Sequence, residues 1–166
     1  MNYFKIFDID PKYDIDQKLL QKKYFTLQLK YHPDRSKNES DRYNSLINST
    51  LVNKAFKTIQ DDYLRAEYLL KTRGFLTLEN KLTNSLSHKQ LEKILESYEI
   101  LEDIKSLPDL YKIKQYKIND YQELVLKISE AFTKNNFKEA LDLTVSLKYL
   151  NSLIQNIKLK IRNADN

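Results

Sequence analysis

The chain has 166 residues, a net charge of +5, no cysteine and a single glycine. Those numbers exclude disulfides, thiolate nucleophiles and Cys-ligated zinc, and they argue against hairpin-rich sheets, which draw heavily on glycine. With 41% apolar and 31% charged residues, the chain can fold as one ordinary domain or as two small ones, and no apolar run approaches the ~18 residues of a membrane span.

Tyr3 to Phe7 reads as a short helical turn, closed by the loop around Pro11. The next helix is expected to start near Asp14 or Asp16 and to run to Tyr31. Leu20, Tyr24, Leu27 and Tyr31 recur at four, three and four, which makes one buried stripe. Pro33 ends that helix, because the residue before a proline avoids helical backbone. Asp34 to Ser40 is polar and turn-like. A third helix is predicted over about 41–59, with Val52, Ala55, Phe56 and Ile59 facing in. A fourth opens at Asp61 as N-cap and carries YLRAEYLL, and Gly74 stands where a helix C-cap takes a left-handed residue.

Residues 75–86 read as an extended connector. Ser87 and Gln90 then form an S-x-x-Q capping box. The helix they open carries Leu91, Ile94, Leu95, Tyr98, Leu101 and Ile104, up to about Lys105. After a cap at Ser106, a long helix covers about 108–134, and Asn135-Asn136 makes a turn. The last helix runs from Phe137 to about Arg162, with Leu143, Leu147, Leu150, Ile154, Ile157 and Ile161 at spacings of four and three. The expected fold is all-α: four helices in residues 1–74, the connector 75–86, and a three-helix bundle over 87–166.

The stretch KYHPDRSK, Lys30 to Lys37, places His, Pro and Asp at the end of a helix. Proline fixes the backbone there. The aspartate offers an acceptor pair suited to a partner arginine, and the histidine ring can donate, accept or stack. A tripeptide alone is only a hint, but here it follows an amphipathic helix with Tyr24 eight residues before the histidine. It precedes a polar loop and a helix bearing NKAFKTI.

This arrangement resembles the J-domain of DnaJ-type co-chaperones over residues 1–74. The resemblance implies that the loop and the basic face of the preceding helix dock on a seventy-kilodalton heat-shock ATPase and stimulate its ATP hydrolysis. It assigns His32, Pro33 and Asp34 as the trigger, with Lys22, Lys23, Lys30 and Arg35 supplying positive charge. NYFKIFDID at the start, RAEYLL at Arg65 to Leu70 and LESYEILEDI in the fifth helix extend the likeness along the whole chain, to the HscB family of J-type co-chaperones in iron–sulfur cluster assembly.

That family implies an L-shaped molecule whose bundle binds the scaffold protein IscU and delivers it to the ATPase HscA. Leu91, Leu95, Glu96, Glu99, Asp103 and Tyr149 match its scaffold-binding positions. Leu91, Leu95, Glu99 and Asp103 lie one turn apart on a helix, an apolar start grading into carboxylates. From spacing alone these leucines read rather as bundle core, with the acids a solvated face; it is the family match that turns the stripe into a binding surface. Glu92 departs from the family pattern, which often has an apolar residue there.

Other functions find little support. His88 has no cysteine neighbour and reads as a surface side chain, so no metal or cofactor is expected. No Gly-rich phosphate loop or nucleophile–base pair is visible, so the chain is not expected to be an enzyme. Its pI of about 9.1 suggests a nucleic-acid binder, but the stretch from Glu92 to Asp103 is acidic and would repel phosphate. A general J-protein for unfolded clients would often add a Gly-rich linker and Cys zinc repeats, both missing here. The opening MNYFKIFDID has no basic region before a long apolar stretch, so the expectation is a monomer in the bacterial cytoplasm, with a processed mitochondrial chain as the alternative.

Overall fold

The computed structural model describes residues 2–32, 34, 38–75 and 88–164. Among them all regular structure is helical: α1 Tyr3–Ile6, α2 Gln17–Lys30, α3 Glu39–Gln60, α4 Asp62–Thr72, α5 His88–Asp103, α6 Leu107–Thr133 and α7 Phe137–Ala164. None of these helices is long and apolar enough to cross a membrane. The chain divides into two compact units, Met1–Leu69 and Leu70–Asn166. The expected capping box at Ser87, the connector beyond Phe75 and the surroundings of His88 lie outside the described residues.

In the first unit, short polar residues set the helix ends. The Asn2 side chain accepts from the Phe4 N–H at 3.0 Å and starts α1. Asp8 ends it with a left-handed backbone, φ 48°. The Asp8 and Ile9 N–H groups donate back to Lys5 and Phe4 carbonyls, each at 3.2 Å, which satisfies the open carbonyls of the last turn. Asp16 caps α2 by accepting from Lys18 and Leu19 N–H at 2.9 and 3.0 Å. α3 starts two residues earlier than the spacing predicts, because Asn38 accepts from the Asp41 N–H at 2.8 Å and caps it.

The core of this unit gathers Phe4, Phe7, Leu20, Val52, Ala55 and Ile59, all almost fully buried. Of the stripe expected on α2, Leu20 is buried while Tyr24, Leu27 and Tyr31 are half-buried. Tyr24 stacks on Phe56 with ring centroids 3.9 Å apart, and Phe56 meets Phe7 edge-on at 6.4 Å. Asn53 accepts from the Tyr24 hydroxyl at 2.9 Å and from Gln28 Nε2 at 2.6 Å, so α2 and α3 are joined by polar as well as apolar contacts.

Arg65, within the RAEYLL stretch, is 4% exposed. Its Nε donates to the Tyr13 carbonyl at 2.7 Å, and Nη1 donates to the carbonyls of Ile59 at 2.7 Å and Gln60 at 3.2 Å. Nη2 donates to the Asp62 carboxylate, and the guanidinium lies 4.7 Å from the Tyr13 ring centroid. One side chain thus caps the C-terminus of α3, where orphan carbonyls concentrate negative charge. It also ties the loop before α2 to the start of α4.

In the second unit, α6 and α7 form a long hairpin. Asn135 makes the turn with φ 54°. The Asn135 and Asn136 N–H groups return to Phe132 and Ala131 carbonyls at 3.1 and 2.9 Å. Asn136 then exchanges hydrogen bonds with Glu139 and opens α7. Ser106 sits at the N-cap of α6, but its side chain makes no capping bond. α5 joins through a core of Leu101, Leu110, Leu153, Ile157 and Ile161, with Tyr98, Ile104, Leu107 and Ile113 packed against it. Lys160 donates to the Leu101 and Glu102 carbonyls, placing an ammonium at the C-terminus of α5.

Replacing Arg65 with Met keeps much of the bulk but leaves buried carbonyls unsatisfied. The expected loss is about 3 kcal/mol of stability, read from the urea midpoint of the intact chain. A midpoint unchanged within error contradicts this account of Arg65.

Candidate functional site

The corner after α2 is built locally. Tyr31 closes α2, its N–H donating to the Leu27 carbonyl at 3.0 Å. His32 Nδ1 then accepts from the Asp34 N–H at 3.2 Å and lies 3.5 Å from an Asp34 carboxylate oxygen. The His32 side chain is 54% exposed and that of Asp34 88%. The corner therefore turns an imidazole and a carboxylate toward solvent, with the imidazole fastened to the backbone N–H of the residue that bears the carboxylate. Pro33 and Arg35 lie outside the described residues.

The lysines assigned to this surface differ in what they do. Lys22 is exposed. Lys23 is half-buried, and its ammonium donates to the Asp8 carbonyl at 2.6 Å and to the Asp8 carboxylate at 3.2 Å. It thereby braces the left-handed residue that ends α1. Lys30 lies 5.3 Å from the centroid of the neighbouring Tyr31 ring. Spacing along α2 could not separate these roles, because they depend on where the loop after α1 returns.

In the second unit α5 presents the other assigned residues. Leu91 is 41% exposed and Leu95 54%, so neither belongs to the bundle core. Glu96, Glu99 and Asp103 are exposed on the same helix, as is Glu92. The inward side of α5 is instead made by Leu101 with Ile94 and Tyr98, and Ile104 just beyond the helix packs on the same core. Tyr149 on α7 is half-buried and near enough to Tyr98 to act on it electrostatically. Burial, and then Tyr149, push the Tyr98 phenol above its ordinary value. A cleft of about 200 Å³ under α5 is lined by Lys93, Ile94, Ser97 and Tyr98, facing Lys117 of α6 and Ser146, Leu150 and Leu153 of α7. Among the described residues no group of three His, Asp or Glu side chains could hold a metal ion.

Comparisons with known proteins divide the chain in the same way. The DnaJ domain model matches residues 2–68, and the HSCB C-terminal oligomerisation domain model matches residues 86–158. The co-chaperone protein HscB homolog of Shewanella baltica is 31% identical over 166 residues, covering 92% of each chain. The chain belongs to the HscB family of J-type co-chaperones. The human iron-sulfur cluster co-chaperone protein HscB is also 31% identical, over 96% of this chain and 68% of its own length. The crystal structure of the human co-chaperone superposes with a TM-score of 0.87 at 29% identity, covering 96% of this chain and 82% of that one. The chaperone HscB from Vibrio cholerae, at 24% identity and a TM-score of 0.84, covers 96% of each chain and shares the fold. The named relatives are co-chaperones rather than enzymes.

The two lysines make a test of this geometry. Lys23→Ala is expected to lower the melting temperature of the chain, because it removes the brace on Asp8. Lys22→Ala is expected to leave it unchanged, since an exposed lysine contributes little to stability. Equal melting temperatures for the two variants, measured by circular dichroism, contradict the assignment.

Proposed function

We propose that the chain hands an iron–sulfur scaffold protein of the IscU type to a seventy-kilodalton heat-shock-type ATPase of the HscA type and stimulates that ATPase's ATP hydrolysis. The observation that carries this reading is the presence of two exposed, chemically different surfaces in separate compact units of one chain. The first is the His32–Asp34 corner. The second is the leucine and carboxylate face of α5. The relatives' names support the iron–sulfur context.

Each surface suits its task. An exposed carboxylate held beside an imidazole is a good partner for an arginine on the ATPase. Lysines on α2 attract an acidic patch and quicken encounter, an effect that fades as salt rises. Leu91 and Leu95 give a small apolar anchor, and Glu92, Glu96, Glu99 and Asp103 give it a charged rim, the usual build of a specific interface. Covalent linkage lets two weak contacts act together through effective concentration. The chain supplies no nucleophile or phosphate loop in this scheme, so hydrolysis stays with the ATPase.

Two variants are expected to dissociate the two activities. Asp34→Asn should abolish ATPase stimulation and keep scaffold affinity. Leu91→Ala combined with Leu95→Ala should weaken scaffold binding by about tenfold or more and keep the melting curve of the chain. Steady-state ATPase assays and calorimetric titration with the scaffold check both. Stimulation by the Asp34→Asn chain means the trigger is misassigned. Collapse of the bundle in the double variant means those leucines are core.

A further inference from the structure

The solvent side of α2 is not simply basic. Lys18, Lys22, Phe25 and Leu29 follow one another at spacings of four, three and four, so they share one helix face. Leu20, buried, and the half-buried Tyr24 and Leu27 lie on the opposite side. The stripe is cationic at its start and apolar at its end, and the apolar end comes just before the His32–Asp34 corner. Phe25 is 56% exposed and Leu29 63%. Lone exposed apolar residues are ordinary. A phenylalanine and a leucine on successive turns of one face, next to the corner, form a contiguous apolar surface. Lys23 and Lys30 fall outside the stripe, one held by Asp8 and the other over Tyr31.

We infer that Phe25 and Leu29 are an apolar anchor by which the chain docks on its ATPase, and that Lys18 and Lys22, rather than Lys23 or Lys30, are the paired cations. The matching surface on the ATPase is an apolar cleft bordered on one side by carboxylates. The inference rests on the ATPase reading of the corner for the identity of the partner. Its physical content is separate: the contact has a salt-sensitive half and a salt-resistant half. Apolar burial does not weaken as salt screens charge, so docking should survive salt better than a contact made by lysines alone.

The test is the equilibrium affinity of the full chain for an HscA-type ATPase in ATP, at low and high salt. Phe25→Ala with Leu29→Ala is expected to weaken binding at least about tenfold at both salts. Lys18→Ala with Lys22→Ala is expected to weaken it mainly at low salt. Both pairs are exposed, so melting curves should match that of the unaltered chain. If the apolar double variant does not fold, Phe25→Lys alone decides, with loss expected at high salt. Unchanged affinity of the folded variant at both salts overturns the anchor. Asp34→Asn in a parallel ATPase assay keeps the two ideas apart. If Asp34→Asn abolishes stimulation while the apolar variant binds normally, the anchor is wrong and the corner stands. If Asp34→Asn still stimulates, the corner falls, and the affinity of the apolar variant still decides the anchor.

Discussion

Arg65 places a guanidinium inside the first unit, and each neighbouring element meets it. Four acceptors converge on it: the carbonyls of Tyr13, Ile59 and Gln60, and the carboxylate of Asp62. A buried cation is costly unless it is fully partnered. Here the partners are the C-terminal carbonyls of α3 and a carboxylate in the first turn of α4, both of which favour positive charge. The arrangement fixes where α3 ends, where α4 begins and where the chain enters α2. The polar bridge at Asn53 and the Tyr24–Phe56 stack then hold α2 along α3. The exposed corner is the free end of that pair, which lets a two-residue histidine–aspartate contact face solvent from a rigid mount.

The second unit solves a different problem. α6 and α7 pair along their length and bury Ile128, Ala131, Leu147 and Ile157. α5 is held mainly at its C-terminal end, by Leu101 in the core and Lys160 on the last carbonyls. Towards its other end Leu91, Glu92, Lys93 and Leu95 are exposed. A helix anchored at one end and open at the other can show leucines to a partner without their being needed for folding.

Much of the fold was legible in the sequence because the signals were local. Asp16 and Asp61 are short acceptors before apolar periodicity, and Gly74 adopts the left-handed backbone, φ 81°, that its position suggested. Helix ends drifted where caps were less obvious, as at Asn38. The roles of Arg65 and Lys23 were hidden because each side chain reaches, besides a carboxylate, a backbone carbonyl far along the chain, 52 and 15 residues away, and carbonyls leave no trace in residue identity. α5 was ambiguous for another reason. Its apolar residues cover a wide arc, so spacing alone cannot say which part faces inward. Packing decides: Leu101 points to the core, while Leu91 and Leu95 do not. Phe25 and Leu29 fall on the solvent side of α2 only once Leu20 is packed inward, which spacing alone does not specify.

The proposed function requires trigger and grip to reside in one molecule. The most direct measurement mixes two full-length chains, one carrying Asp34→Asn and the other Leu91→Ala with Leu95→Ala, and follows ATP hydrolysis with ATPase and scaffold present. If linkage matters, the mixture fails to restore the joint stimulation that the unaltered chain gives with scaffold. Full restoration by the mixture contradicts the account.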